Sequence, residues 1–165
     1  LGLGGQYQFD NCTFYNTGSR YIDHKKETML FSNFASDGTN LYAAPLINSY
    51  VNNSVVYGSL ESEVSFNKLD GTGFDIPFNF SLVKAKVDTF NFYSVGGTGN
   101  TFNTDPRFKE PANDNFTPSD SAAYFSPIID YSSSGASVDL FDRPRPVSLT
   151  SNPGKFDIGA IETQP

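Results

Sequence analysis

Alternating hydrophobic and polar positions along the chain predict short β-strands. In the segment LESEVSF (60–66), every second residue from Leu60 to Phe66 falls on one side of an extended strand. The two glutamates of this segment, Glu61 and Glu63, fall together on the other side. We therefore expect an inner face that packs and an outer face that is charged and solvated.

The segment LVKAKVD (82–88) repeats this alternation, with its valines and alanine on the inner side and Lys84 and Lys86 on the outer side. The next segment, TFNFYS (89–94), alternates in the opposite phase. A bend near Asp88 should therefore separate two successive strands.

A unit with Asn two residues before Ser or Thr recurs three times and is followed each time by an apolar residue. The units begin at Asn11, Asn52 and Asn79, so the spacings are 41 and 27 residues. Repeats of roughly 20–50 residues are typical of solenoids. An Asn at the same corner of successive coils can adopt a turn conformation and stack on the Asn of the next coil. The recurrence predicts stacked coils with insertions of different length.

Composition and charge narrow the class of protein. The 165 residues include 16 Phe and 9 Tyr but no Trp, and only 18% are charged, which together favour an all-β fold. The net charge of −7 argues against nucleic acid as a partner, because phosphate backbones would be repelled. No stretch approaches the roughly 18 apolar residues of a membrane helix. The single Cys12 excludes an intrachain disulfide.

The last third of the chain is richer in proline than the rest. Seven prolines lie between Pro106 and Pro153, and proline removes the backbone donors that a central strand needs. We expect this part of the chain to be irregular, to wrap around the coils and to contain short edge strands. The chain thus divides into coils with loop insertions over residues 1–102 and a closing segment of the same domain over residues 103–165.

Four ordered motifs in the closing segment carry a family resemblance. They are DPRFKEPANDNF (105–116), SPIID (126–130), DRPRP (142–146) and DIGAIE (157–162). Together they resemble the C-terminal segment of pectate-lyase-like, right-handed parallel β-helix proteins of the choice-of-anchor Q type, which are secreted or surface proteins common in Bacteroidota. The chain departs from that family in lacking a small residue after Asp130 and a glycine within DRPRP.

The resemblance implies an all-β, right-handed, single-stranded parallel β-helix, of which this chain is the C-terminal portion. The closing segment would cover the unpaired backbone groups of the last coil. Ile158 and Ile161 would pack toward the apolar end of the solenoid, and Gly159 and Ala160 would permit close approach. Asp157 would fix a turn or meet an arginine of the segment 142–146.

Beginning at Leu1, the chain enters a strand almost directly, with nothing to cap the first coil. We expect either that the chain is a fragment of a longer protein or that the first coil pairs end to end with another molecule.

Two groups of charged residues are candidates for catalysis. Glu61 and Glu63 would lie about 7 Å apart on one strand face, within the spacing that glycosidases use. Lys84 and Lys86 suit the proton abstraction of a polysaccharide lyase, with calcium as the possible cofactor. A solvated strand face explains both groups equally well and is favoured. We therefore assign no catalytic, cofactor-binding or metal residue.

His24 has no second histidine and no nearby cysteine, so it is expected to be an exposed loop residue. Sugar binding without catalysis stays open, because exposed rings such as Tyr42, Tyr50 or Tyr57 can stack on pyranose faces.

The sequence as a whole favours a non-catalytic β-helix scaffold that is secreted or attached to the outer surface of the cell, with a glycan-associated binding role and polysaccharide as its partner. The alternative is the C-terminal part of a polysaccharide lyase or glycoside hydrolase whose active site lies upstream. A fold does not decide between these functions, because function depends on the site.

Overall fold

The structure is a computed structural model that describes residues 3–18, 23–93, 97–121, 126–129, 131, 135–145 and 154–163. Within these ranges the chain forms thirteen short β-strands, one α-helix and one 3-10 turn. In chain order they are β1 (Gln8–Asp10), β2 (Thr13–Asn16), β3 (Met29–Ser32), β4 (Phe34–Ser36), β5 (Leu41–Ala43), β6 (Tyr50–Asn52), β7 (Val55–Gly58), β8 (Val64–Asn67), β9 (Phe78–Asn79), β10 (Leu82–Val83), α1 (Val87–Tyr93), β11 (Thr101–Phe102), β12 (Phe108–Glu110), the 3-10 turn (Pro111–Asn113) and β13 (Asn115–Pro118).

Three parallel sheets organise the first two thirds of the described chain. Their strand orders are β1-β6-β9, β2-β7-β10-β11 and β3-β8. The first pass of the chain supplies β1, β2 and β3, and the second pass supplies β6, β7 and β8, each in register with its counterpart. The antiparallel hairpin β4-β5 is an insertion between these two passes. The predicted all-β class is confirmed, and three of the described sheets are parallel while β4-β5 and β12-β13 are antiparallel.

Side chains from all three sheets meet in an inner core. Phe9, Val51 and Phe78 form one register row that points into it. Aromatic rings fill much of the space, and the Phe78 and Phe90 rings pack edge to face with centroids 4.9 Å apart. The buried members of this core are Met29, Phe31, Leu46, Val51, Val56, Val64, Ile76, Phe78, Val83, Ala85 and Phe90.

An amide ladder crosses the sheet β1-β6-β9. The Nδ2 of Asn79 donates to Asn52 Oδ1 at 2.9 Å, and the Nδ2 of Asn52 donates to Asp10 Oδ1 at 3.2 Å. The next residues, Asn11 and Asn53, have φ of 52° and 47°, a left-handed conformation that Asn tolerates. The predicted stacking is confirmed, but its register is wrong by one residue in the first pass. Asp10, and not Asn11, is the partner of Asn52.

Small polar side chains close the corner that follows this ladder. Cys12 N–H donates to Ser54 Oγ and Ser54 N–H donates to Ser81 Oγ, both at 3.1 Å. Ser81 N–H donates in turn to Asn100 Oδ1 at 3.0 Å. These bonds satisfy backbone donors where the chain turns between two sheets. Burial, and then the charge of Asp10, raises the pKa of the Cys12 thiol, which makes it a poor nucleophile.

The predicted strand at 89–94 is wrong, because residues Val87–Tyr93 form the helix α1. The helix lies against β8, and its Phe90 packs on Phe66, Phe78 and Phe102 of the inner core. A six-residue alternation fits both a strand and a short helix, so it does not predict which of the two forms. Here the ring of Phe90 makes the contacts with the inner core.

The sheet β2-β7-β10-β11 is buried on both faces. Val56 and Val83 point into the inner core, while the preceding residues, Val55 and Leu82, point outward and are equally inaccessible to solvent. The outward residues pack on a second core formed with the closing segment. The other buried members of this outer core are Phe108, Ile128 and Ile158.

The described part of the closing segment lies along the outer face of this sheet. Thr101 of β11 donates a hydrogen bond to Tyr131 Oη at 2.8 Å. At the opposite edge, Ala160 N–H donates to Thr13 Oγ1 at 3.1 Å. The closing segment thereby shields the apolar outward residues of β7 and β10 from water.

The motif at 157–162 packs against this sheet, where Ile158 belongs to the outer core. Ile158 and Ile161 are buried. Gly159 has φ of 99° and donates its N–H to Asn53 O at 2.7 Å. A Cβ at this position would lie 2.7 Å from Thr13 Oγ1, so a glycine is required for the close approach.

Buried polar groups fix this motif in place. Asp157 Oδ2 accepts Thr163 N–H at 2.7 Å, and the Asp157 carbonyl accepts Arg145 Nη2 at 2.5 Å. The carboxylate that pairs with the fully buried Arg145 is Glu162, at 2.9 Å. The Asp157 carboxylate thus holds the backbone at Thr163, and the Asp157 carbonyl binds an arginine of the segment 142–146.

Arg143 pairs with Asp139, whose Oδ2 lies 2.8 Å from Arg143 Nε. The Asp139 Oδ1 accepts the backbone N–H groups of Phe141 and Arg143. Burial raises the pKa of Asp139, but these hydrogen bonds and that of Glu162 N–H together outweigh it and hold the pKa below the ordinary value.

Val55→Ala should lower the free energy of unfolding by about 2 kcal/mol, as much as Val56→Ala, because both side chains leave cavities in packed cores. Urea denaturation measures both values. Leu41→Ala, at an exposed position of β5, is the control and should change little. A near-neutral Val55→Ala would contradict the outer core.

Asp139→Asn should destabilise the protein by about 2 kcal/mol near neutral pH, because charge-assisted hydrogen bonds are lost. The lowered folded pKa means that the contribution of Asp139 is complete above the ordinary value of 3.8 and is lost as the pH falls below it. Urea denaturation at about pH 7 and about pH 3 should show the difference between variant and wild type shrinking in acid. An equal difference at both values would refute the assignment.

Candidate functional site

A buried carboxylate lies where the segment before β3 meets the turn before β8. The Glu63 side chain is fully buried. Its Oε1 accepts Leu60 N–H at 2.8 Å, and its Oε2 accepts Thr28 Oγ1 at 2.7 Å and Thr28 N–H at 3.3 Å. These donors hold both carboxylate oxygens in fixed positions.

An imidazole stands between this carboxylate and a hydroxyl. His24 Nε2 lies 3.4 Å from Glu63 Oε2, and His24 Nδ1 lies 3.0 Å from Ser59 Oγ. The His24 side chain is only 5% exposed, whereas Ser59 is exposed. We call His24, Thr28, Ser59 and Glu63 the His–Glu cluster.

Gly58, the last residue of β7, makes room for the cluster. A Cβ at Gly58 would overlap Glu63 Oε1 on one side and the Asn16 carbonyl of β2 on the other. The Gly58 carbonyl accepts Lys84 Nζ at 2.7 Å, and the ammonium lies 4.9 Å from the centre of the Tyr57 ring. A positive charge is therefore held beside the end of β7.

The segment around His24 also lines an open recess of about 320 Å³. Its wall carries two acidic side chains, Asp23 and Glu27, and two basic ones, Lys25 and Lys26. Lys25 Nζ lies 3.1 Å from Asp23 Oδ2. The formal charges of the recess cancel.

The structure departs from the sequence expectations for these side chains. His24 was expected to be exposed, and Glu63 to lie on a solvated strand face with Glu61, but His24 and Glu63 are buried together. Glu61 is 78% exposed and pairs with Lys86 at 3.0 Å. The reason is that β8 begins only at Val64, so a turn breaks the alternation before it.

The structure likewise does not join Lys84 and Lys86 in one site. β10 ends at Val83 and α1 begins at Val87, so the two lysines are not on one strand face. Lys84 contacts the Gly58 carbonyl, and Lys86 contacts Glu61. The sequence offered no signal for the contact between His24 and Glu63, because 39 residues separate them.

A second surface with binding character lies on the outer side of the sheet β1-β6-β9. We call it the ladder face and define it by Gln8 and Asp10 of β1, Tyr50 and Asn52 of β6, and Asn79 of β9. Tyr50 lies opposite Gln8 in register, yet its hydroxyl donates to Asp10 Oδ2 at 2.9 Å. The ring must therefore lie diagonally across the sheet. The hydrogen bond to Asp10 raises the pKa of Tyr50.

The other two candidate tyrosines have different surroundings. Tyr42 is 50% exposed on the hairpin β4-β5, and its hydroxyl donates to Asp37 at 2.9 Å. Tyr57 stacks on Tyr15 with ring centroids 6.2 Å apart and packs against the outer core. Tyr57 is therefore part of the packing, and Tyr50 is the ring that lies beside polar ladder groups.

Among the described residues, no group of three or more His, Cys, Asp or Glu side chains is arranged to hold a metal ion. The same part of the chain contains no helix with the length and apolar character needed to cross a membrane. Comparisons with protein-family models, curated proteins and solved structures find no match to the chain.

Glu63→Gln should lower the free energy of unfolding by about 3 kcal/mol, because a Gln amide places a donor against the N–H and O–H groups that now bind the carboxylate. Thermal and urea denaturation measure the loss. Glu61→Gln is the matched control and should change stability little, since its pair with Lys86 is exposed. Equal effects of the two substitutions would contradict the burial of Glu63.

Proposed function

We propose that the chain is a portion of a right-handed, single-stranded parallel β-helix that serves as a scaffold for glycan binding. The supporting observation for the fold is that strands of successive passes pair in register in three parallel sheets. Parallel crossovers within one sheet are right-handed in about 98% of cases, which favours that hand here. The family resemblance of the motifs at 105–162 agrees with this fold.

The ladder face is the observation that carries the binding function. Asp10, Asn52 and Asn79 form a row of polar groups across three strands, which lie about 4.8 Å apart. The ladder bonds use one N–H of each amide, so the second can donate to a ligand hydroxyl. A row of equally spaced donors and acceptors suits a polymer with repeating hydroxyl groups.

Tyr50 gives this row an apolar platform. Its hydroxyl is fixed on Asp10, so the ring is held in one orientation before any ligand arrives. A pre-oriented aromatic ring loses little conformational entropy when a sugar ring packs on it. The combination of one flat ring with flanking amide and carboxylate groups matches the way small polar ligands are held.

Charge selects the kind of glycan. The chain has a net charge of −7, and the ladder contains the carboxylate of Asp10. An acidic polymer would be repelled at this face, so the proposed ligand is a neutral polysaccharide. The proposal includes a protein that is secreted or attached to the cell surface. The alternative, part of a lyase or hydrolase whose active site lies upstream, does not depend on Lys84 or Lys86.

End-to-end association through the first pass remains a separate prediction. Among the described strands, β1, β2 and β3 each lie at the edge of their sheet. An edge strand is a place where a second copy could add its own strand.

Tyr50→Ala should weaken binding to a neutral polysaccharide by about tenfold, because the stacking platform is removed. Affinity electrophoresis with soluble neutral polysaccharides, followed by calorimetry with oligosaccharides of the best one, measures this change.

Tyr42→Ala is the matched control, since it removes an exposed ring of the same kind from the hairpin β4-β5. It should leave the affinity unchanged. Equal loss in both variants, or no binding of wild-type protein to any neutral polysaccharide of the panel, would refute the ladder face as a glycan site.

A further inference from the structure

We propose that Ser59 is a nucleophile activated by His24 and Glu63, and that the chain cleaves short-chain carboxylic esters through an acyl intermediate on Ser59. This activity goes beyond glycan binding and does not depend on the ladder face. It rests on the hydroxyl–imidazole–carboxylate order of the His–Glu cluster.

The protonation of the imidazole follows from its two neighbours. Nε2 of His24 faces the Glu63 carboxylate. In a neutral imidazole the proton must then be on Nε2, because an unprotonated Nε2 and the carboxylate oxygen would both be acceptors and would repel each other. Nδ1 is then the acceptor, and Ser59 O–H can donate to it over 3.0 Å. This is the arrangement in which a histidine acts as a general base toward a hydroxyl.

The supports of the three groups are rigid. Ser59 N–H donates to the Asn16 carbonyl at 3.1 Å, which fixes the backbone of the nucleophile at the end of β7. Glu63 is held by Leu60 and Thr28, as described above. Ser59 is exposed, whereas the side chains of His24 and Glu63 are only 5% and 0% exposed.

The contact between His24 and Glu63 is loose for a purely structural pair. His24 Nε2 is buried and has no partner that meets hydrogen-bond geometry, with Glu63 Oε2 at 3.4 Å. A structural histidine normally satisfies both ring nitrogens. In a nucleophilic site the positive imidazolium forms during the reaction, and the contact then tightens.

The proposed reaction balances within this group. Ser59 Oγ bonds to the ester carbonyl carbon while its proton passes to His24 Nδ1. The ester C–O bond breaks, and the leaving alkoxide takes that proton and departs as an alcohol. Water then attacks the acyl-serine with the same base, which releases a carboxylic acid and restores Ser59. Glu63 stays ionised and stabilises the imidazolium.

The recess beside His24 indicates the substrate class. Its volume of about 320 Å³ is at the lower end of the range for small-molecule sites. Its two acidic and two basic side chains cancel in formal charge, so it selects no ionic group. Asn16, which binds the Ser59 backbone, also lines it. An uncharged ester of a short acid, such as an acetate, fits this site.

The test uses the full chain with p-nitrophenyl acetate as substrate and a fluorophosphonate as covalent probe. Wild-type protein should hydrolyse the ester and be labelled at Ser59, as located by peptide mass spectrometry. Ser59→Ala should abolish that label and lower turnover at least about 100-fold, and His24→Gln should do the same. Added imidazole should restore part of the His24→Gln rate, which a structural role of His24 would not produce.

Ser36→Ala is the matched control, because Ser36 is exposed on the hairpin β4-β5 and its hydroxyl accepts a backbone N–H. It should keep the full rate and label. Circular dichroism checks folding, and Ser59→Ala at an exposed position keeps the test valid if His24→Gln does not fold. Unchanged turnover in Ser59→Ala, or labelling of Ser59 no faster than of Ser36, would overturn the proposal.

Discussion

The two-sided burial of the sheet β2-β7-β10-β11 is the constraint on which the rest of the structure depends. Val55 and Val56 are neighbours in one strand and point to opposite faces, yet both are inaccessible to solvent, as are Leu82 and Val83. A strand of this kind needs an apolar cover on each side. The other two sheets and Phe90 of α1 cover the inner face. On the outer face, among the described residues, Phe108, Ile128 and Ile158 of the closing segment pack on Val55 and Leu82.

Charge burial follows from that cover. The motif at 157–162 approaches the sheet so closely that Arg145 and Glu162 lose contact with water. Burying an ion costs several kcal/mol, and here a direct ion pair with added backbone contacts offsets the cost. Glu63 is as deeply buried. The cost of burying its carboxylate is offset by backbone and hydroxyl donors and by the His24 imidazole at 3.4 Å. The buried carboxylate of Glu63 is thus compensated without the close ion pair that Arg145 and Glu162 form.

Local chemistry made part of this fold predictable from the sequence. The recurrence of Asn before Ser or Thr led to the amide ladder, because Asn suits both a left-handed corner and stacking between strands. The one-residue error at Asn11 arose because Asp10 replaces the amide in the first pass, and a carboxylate accepts the same hydrogen bond. The spacing from Asn52 to Asn79 gave the correct register.

Long-range packing was not predictable in the same way. The pattern at 89–94 fits either a strand or one face of a short helix, and the place of Phe90 in the inner core decides for the helix. The burial of Glu63 depends on Gly58, which alone leaves space for the carboxylate. The contact with His24 depends on the pairing of β3 with β8. The hydrophobic pattern of a short segment predicts none of these long-range contacts.

The two candidate sites lie on different sheets, and the closing segment covers the outer face of only one of these two sheets. The closing segment occupies the outer face of β2-β7-β10-β11, whereas in the neighbouring sheet β1-β6-β9 the outward Asp10 is exposed and Tyr50 and Asn52 are half-buried. That outward row carries the ladder, so its polar groups serve both the register of the sheet and the solvent-facing surface. The His–Glu cluster lies instead at the end of β7, where the chain leaves the doubly covered sheet for β8. Strand ends of this kind are where a hydroxyl can be exposed while its base stays buried, because the core fixes the base and the turn presents the hydroxyl.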